Sequence, residues 1–134
     1  MTYYSTKDRV NSIAGILKLK EFAKNLGYIV INSDCDSWDY SSKTISNNSR
    51  RTPKNRVCYL SHECGHAKLY LDRKETYTDL FPGFLQKGIN NKISALEQEV
   101  LAWDEGLKII KSLNIQIDIN NFAKIKTKCL KDYI

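Results

Sequence analysis

This chain has two histidines, and they stand four residues apart around a glutamate, in the run His62-Glu63-Cys64-Gly65-His66. On a helix, positions i and i+4 share a face, so both imidazoles can reach one metal ion. The glutamate beside the first histidine then falls next to that metal, where a carboxylate can work on a water molecule. A fold that uses the pair must therefore run a helix through residues 62–66 and bring a further ligand to it. Cys64, two residues from each histidine, should point away from the metal.

A catalytic zinc site takes three protein ligands and a water. With no other histidine in the chain, the third ligand must be Asp, Glu or Cys. The longest amphipathic stretch, Ile93 to Leu113, carries Ile93, Leu96, Val100, Trp103, Leu107 and Ile110 as a single apolar stripe, and it offers Glu97, Glu99, Asp104 and Glu105. At about 100° per residue, Glu105 lies roughly 170° from that stripe, Glu97 about 90°, and Glu99 and Asp104 about 70° on opposite flanks. Glu99 alone borders a second patch of small residues, Ala95, Ala102 and Gly106. Small side chains let another helix approach closely, and Gly65 offers the matching gap. A helix-interior glycine costs about 1 kcal/mol against alanine, so Gly65 makes sense if another backbone packs against it. Glu99 is the favoured third ligand and Glu97 its competitor. The plain reading is that all four acids are surface carboxylates.

The rest of the chain supplies a frame for these two helices. Val10 to Leu26 reads as an amphipathic helix with Val10, Ile13, Ile16, Leu17, Leu19 and Phe22 as its apolar residues, stopped at Asn25-Leu26-Gly27. Tyr28 to Ile31 predicts a short buried strand, Asn32 to Tyr40 an acidic loop with Trp38 and Tyr40 as anchors, and Lys43 to Ser46 a polar edge strand. Asn47 to Arg51 is a turn. Thr52-Pro53 marks the start of the histidine helix, which should reach about Leu71 with Val57, Leu60, Ala67 and Leu71 inward. Asp72 to Asn91 is a long connection with a Pro82-Gly83 turn and with Phe81 and Phe84, a candidate lid or substrate wall. Asn114 ends the long helix. Asp118 or Asn120 opens a last one, Asn121 to Tyr133, with Phe122, Ile125, Cys129 and Leu130 inward.

Composition excludes several classes. A chain of 134 residues, 42% hydrophobic and 27% charged, fits one soluble domain over residues 1–134. It has no apolar run of about 18 residues for a membrane span, and Met1 to Arg9 lacks an apolar signal core, so the cytoplasm is the expected compartment. The cysteines Cys35, Cys58, Cys64 and Cys129 have no CxxC spacing and read as small buried hydrophobes. The net charge of +6 gathers in Arg50, Arg51, Lys54 and Arg56 and in Lys124, Lys126, Lys128 and Lys131. Such runs are usually solvated faces, and no nucleic-acid module accompanies them. Nucleic acid is the weakly supported alternative partner.

HECGH followed about thirty residues later by the helical run Glu99-Val-Leu-Ala102-Trp103 resembles the small gluzincin peptidases, and among them the ImmA/IrrE-like metallopeptidases of phages and mobile elements. The resemblance implies an α+β, minimal zincin-like fold: an N-terminal helix, a small twisted sheet, the HExxH helix, a Glu-ligand helix and a C-terminal helix. It implies Zn2+ on His62, His66 and Glu99, with Glu63 activating a zinc-bound water to cut a peptide bond in a cytosolic protein partner. Trp103 stands where the family often has Asn or Asp. With no third histidine to steady the oxyanion, a Tyr, Arg or Lys must do it, or the metal alone; Tyr133, Tyr70, Tyr40 and Arg56 are candidates. Three other readings compete. One is a zinc-binding interaction domain that does not cut. Another is a deformylase-like hydrolase with Cys35 as third ligand, although the deformylase glycine-rich and EGCLS-type segments are absent. The last is a basic nucleic-acid-binding protein with an incidental His pair.

Overall fold

The helix stops are written in local chemistry. In the computed structural model of the chain, residues 6–72 and 89–133 are described, with side chains from residue 95 onward in the second stretch. The expected lid, with Phe81, Phe84 and the Pro82-Gly83 turn, lies outside the described residues. Helix α1 spans Thr6–Asn25. Gly27 ends it with φ +90°, while Gly27 N–H donates to Lys24 O at 2.9 Å and Tyr28 N–H to Ala23 O at 2.9 Å. This paired closure needs a left-handed residue after the helix, which glycine adopts without strain. Nothing lies within 4 Å of where a Gly27 Cβ would stand. Gly27→Ala should therefore cost only the backbone term, about 1–2 kcal/mol, read as a lower urea midpoint at unchanged m-value.

Strands β1 (Ile29–Ser33), β2 (Ser37–Asp39) and β3 (Thr44–Asn48) form one sheet in the order β1-β3-β2. β1 runs parallel to β3, with Val30 opposite Ile45. β2 runs antiparallel to it, with Trp38 opposite Ile45. Two sequence expectations are corrected here. The Lys43–Ser46 segment is not an edge: β3 is the central strand, because its alternate residues Ile45 and Asn47 face the core and are fully buried. The stretch Asn32 to Tyr40 is not all loop, since Ser37–Asp39 pairs with β3 and supplies an edge. Nor is β1 a buried strand, for Ile29 and Ile31 face outward and only Tyr28 and Val30 turn toward the core.

The buried Asn47 explains where much of the first basic cluster goes. Its Nδ2 donates to Asp36 Oδ1 at 3.1 Å, and Arg56 Nε donates to its Oδ1 at 3.0 Å. Arg56 also donates to Asn32 Oδ1 at 3.2 Å. Arg51 donates to Asp36 Oδ2 at 2.9 Å and lies 3.7 Å from the centre of the Tyr59 ring. These residues tie the sheet to the start of the next helix. Their charge is committed to structure.

Helix α2 spans Pro53–Asp72, α3 Ile89–Ser112 and α4 Ile119–Lys131. α2 starts where Thr52-Pro53 predicts, and Val57, Leu60 and Ala67 are buried, but Leu71 is exposed. α3 begins four residues before Ile93 and turns into Asn114 at φ 54°, with Ile115 N–H donating to Ile110 O at 3.0 Å. Asp118 caps α4 by accepting from the backbone N–H groups of Asn120 and Asn121. Phe122 and Ile125 pack inward as expected, and Cys129 and Leu130 are half-buried against the core. The overall class is α+β, four described helices around a three-stranded mixed sheet. No described helix is long and apolar enough to cross a membrane.

The faces that the helices bury differ from their apolar stripes. α1 buries Ser12, Gly15, Ile16, Leu19 and Ala23 and leaves Val10, Ile13 and Leu17 in solvent. α3 buries Gln98, Glu99, Ala102, Trp103, Gly106, Ile109 and Ile110, a face rotated toward the small-residue patch. On α3, close backbone approach to α2 decides the orientation. A Cβ on Gly106 would stand 2.6 Å from Ser61 O, and one on Gly65 2.2 Å from Ala102 O. At the α2–α3 crossing no side chain separates the two backbones, and this is what sets the site.

Candidate metal centre

His62 and His66 project from α2 one turn apart, and Glu99 projects from α3 opposite them. Glu99 Oε2 lies 2.6 Å from His62 Nε2, and Glu99 Oε1 lies 3.1 Å from His66 Nε2. One ligand atom from each residue lies within 4.8 Å of the others, close enough to share a metal ion. All three side chains are buried. Among the described residues no other group of three or more His, Cys, Asp and Glu side chains has this geometry. Of the four acids on α3, Glu99 is the one that joins the two histidines. Glu97 is exposed, Asp104 is exposed and paired with Lys126 at 2.9 Å, and Glu105 stands 4.0 Å from Lys108. For those three acids the plain surface reading holds.

The electrostatics are those of a charge cluster held out of water. Burial disfavours the His62 imidazolium, but hydrogen bonds and charge from Glu63 and Glu99 outweigh it and push the His62 pKa up to about 9. Burial likewise works against ionised Glu99, and again hydrogen bonds from His62 and His66, together with their charge, prevail. They hold the Glu99 carboxyl well below the usual carboxylate range. Buried ionised partners of this kind suit a site that exchanges a proton for a metal ion. Two imidazole nitrogens and one carboxylate fit a transition-metal ion such as zinc or iron(II) better than the hard, oxygen-bound cations.

Each histidine ring is flanked by a tryptophan. Trp103 stacks on His62 at 4.3 Å between ring centres and 8° between planes. Trp38, from β2, lies parallel to His66 at 5.6 Å and 8°. These are the only two tryptophans in the chain. Sequence reasoning took Trp38 for a packing anchor and left Trp103 without a role at the site. The signal for Trp103 was its spacing, four residues after Glu99 on the same helical face. For Trp38 the signal is tertiary, since only strand pairing brings it to α2. Tyr40 and Tyr70 stack on each other at 4.6 Å beside Trp38 and extend an aromatic wall on the His66 side. His66 Nδ1 is buried and has no hydrogen-bond partner, so Glu99 on Nε2 and the parallel Trp38 face are what hold that ring.

Glu63 is buried, with Oε1 3.3 Å from His62 Nδ1. Tyr133 lies just beyond α4, and its phenol feels the charge of Glu99 and Glu63. Burial and then these carboxylates push its pKa upward. Cys64 turns away from the cluster as expected, toward Leu19 O on α1 at 3.9 Å, and burial drives its thiol pKa up. Cys58 is buried too, but Cys35 is exposed between β1 and β2, contrary to its reading as a core residue, and it takes no part in the ligand cluster. Arg56, one of the oxyanion candidates, is spent on Asn47 and Asn32. Compared with protein-family models, with curated proteins and with solved structures, the chain matches none, so its affinities rest on the residues themselves.

Proposed function

We propose that this chain is a zinc-dependent endopeptidase acting on a peptide segment of a cytosolic protein partner, in the manner of the gluzincin enzymes of phages and mobile elements. The observation that carries the reading is the buried His62–His66–Glu99 cluster with the Glu63 carboxylate beside it. Zinc, when bound there, supplies Lewis acidity toward the scissile carbonyl and toward water. Glu63 then takes the proton of the attacking water and delivers it to the leaving amine. Trp103 and Trp38 hold the imidazole planes so that both Nε2 atoms stay directed at one point. β2 is the edge strand nearest the cluster, through Trp38. An extended substrate would add to it by backbone hydrogen bonds.

One observation favours a second reading, a zinc-binding interaction domain that does not cut. Glu63 stands against His62 Nδ1, where it would orient the ligand ring without acting on water. Glu63→Gln separates the two, because Gln keeps an acceptor for His62 but loses the base. For the peptidase, the variant should keep about one zinc per chain and lose cleavage of an unstructured protein or a peptide library by at least about a hundredfold. For the interaction domain, wild type and variant should bind zinc and partner alike, with no new termini by mass spectrometry. A protein that takes up no zinc removes both.

A further inference from the structure

A row of aromatic rings begins at the histidine pair and runs along the end of β2. Resting on the peptidase reading, we propose that Trp38, Tyr40 and Tyr70 form a side-chain subsite that selects the substrate, taking an aromatic or long aliphatic residue next to the bond that is cut.

The rings are placed for this by three elements. Tyr70 follows His66 by four residues on α2, so it stands one turn further along the face that presents both histidines. Trp38 lies parallel to the His66 ring at 5.6 Å and meets Tyr70 at 5.5 Å and 56°. Tyr40, two residues beyond Trp38, lies 6.0 Å from it and stacks on Tyr70 at 4.6 Å and 24°. The row therefore continues from the His66 imidazole outward, and it ends in solvent. Tyr40 is 51% exposed, and Trp38 and Tyr70 are half-buried. On the other flank of the histidine pair, Trp103 is 0% exposed and belongs to the core. Of the two tryptophan flanks, the Trp38 one is open to a peptide.

Strand geometry then says which part of a peptide meets the rings. β2 ends the sheet, so β3 occupies one of its edges and the other is free among the described residues. Side chains alternate along a strand, and Ser37 and Asp39 take the face opposite to Trp38. In a peptide laid along the free edge, every second side chain falls on the Trp38 face. It lies there about 5–8 Å from its cross-strand neighbours, within reach of an aromatic ring. The turn after β2 holds Tyr40 at the end of the row, because Asp39 Oδ1 accepts from Ser41 N–H at 2.9 Å and from the Ser41 hydroxyl at 2.7 Å.

The chemistry of the row sets the class of side chain. Ring faces and edges hold a further ring or an aliphatic chain by contact and burial. A charged side chain pressed against neutral rings loses water without gaining a counter-ion, and a neutral one does not.

The test compares affinities on cobalt-loaded protein, with hydroxamates as metal-binding probes and the visible cobalt spectrum as signal. N-acetylphenylalanine and N-acetylalanine hydroxamates place a ring or a methyl group on one side of the metal. Benzylsuccinyl and methylsuccinyl hydroxamates place them on the other. In wild type one of these two pairs should favour the ring about tenfold or more, and Tyr40→Ala should cut that preference roughly three- to tenfold, the worth of one aromatic contact. Tyr40→Phe, which keeps the ring, should keep the preference, and the methyl probes should bind wild type and both variants alike. Each preference is a ratio within one protein, so a change in fold stability or metal uptake cancels. Equal affinity for ring and methyl in both pairs, a preference that survives Tyr40→Ala, or an N-acetylarginine hydroxamate bound more tightly than the ring probes overturns the subsite and leaves the peptidase reading standing. Cobalt-loaded wild type that binds none of the hydroxamates has a metal closed to substrate, which brings down the peptidase reading and this inference together.

Discussion

Gly65→Ala should destabilise the chain by roughly 2–3 kcal/mol and strip it of metal affinity, although the same exchange in an open helix stabilises by about 1 kcal/mol. The sign reversal is what makes the experiment decisive. The new Cβ would stand 2.2 Å from Ala102 O, 3.0 Å from Gly106 N and 3.1 Å from Ala102 C. All three atoms are backbone, so no side chain can swing aside. The helices must part by about 1 Å or more to restore ordinary contact distances. Glu99 sits on the face of α3 that would be moved, three residues before Ala102, and the histidines flank Gly65 on α2. A shift of that size lengthens both ligand pairs at once. Gly106→Ala should do the same from the other side, its Cβ meeting Ser61 O at 2.6 Å and His62 N at 3.1 Å. Urea denaturation gives the stability and zinc titration the affinity. If Gly65→Ala raised the midpoint, the close crossing of α2 and α3 would be wrong.

The same crossing explains what could be read from the sequence. The His62–His66–Glu99 cluster was legible because two constraints met in it: the histidine pair exhausts the supply of that residue, and the angular position of Glu99 next to Ala102 and Gly106 separates it from Glu97, Asp104 and Glu105. The caps were legible for local reasons, since Gly27, Asn114 and Asp118 each answer a backbone need within a few residues. The buried faces of α1 and α3 were not. On both helices the apolar residues mark a stripe that the buried face does not follow: α1 buries Ser12 and Gly15, the latter against the side chains of Ile115 and Val57, and α3 meets the backbone of α2 at Ala102 and Gly106. How closely backbones can approach outweighs how apolar a face is. The sheet was misread because Ser37-Trp38-Asp39 carries no strand signal of its own. It becomes a strand by pairing with β3 and by the seat of Trp38 on His66, and that pairing turns Lys43–Ser46 from an edge into the centre.

Metal-free and zinc-loaded protein should respond to pH in opposite directions, and Glu99→Ala should erase the contrast. His62, raised to about 9 from 6.5, gives metal-free protein a stabilisation that is complete below pH 6.5 and fades as pH climbs through 9. Glu99, lowered from 4.5, gives one that is complete above pH 4.5 and fades as pH falls through its depressed value. Metal-free protein should therefore be most stable between pH 4.5 and 6.5 and lose on the order of a few kcal/mol toward pH 9. Zinc needs neutral imidazoles, so zinc-loaded protein should gain stability over that same rise in pH. At a thousandfold excess over its dissociation constant, zinc adds about 4 kcal/mol. In Glu99→Ala the imidazolium loses one of its two carboxylate partners and the metal one of three ligands. The fall toward pH 9 should shrink, and zinc should bind at least about a hundredfold more weakly, since losing even an outer-shell partner costs a metal site ten- to a hundredfold. Glu97→Ala, on the exposed flank of the same helix, is the control that should leave both curves unchanged. Thermal melts from pH 4 to 9, with and without zinc, measure all of this. Parallel slopes for the two forms of wild type would mean that zinc, wherever it binds, does not displace a proton from His62.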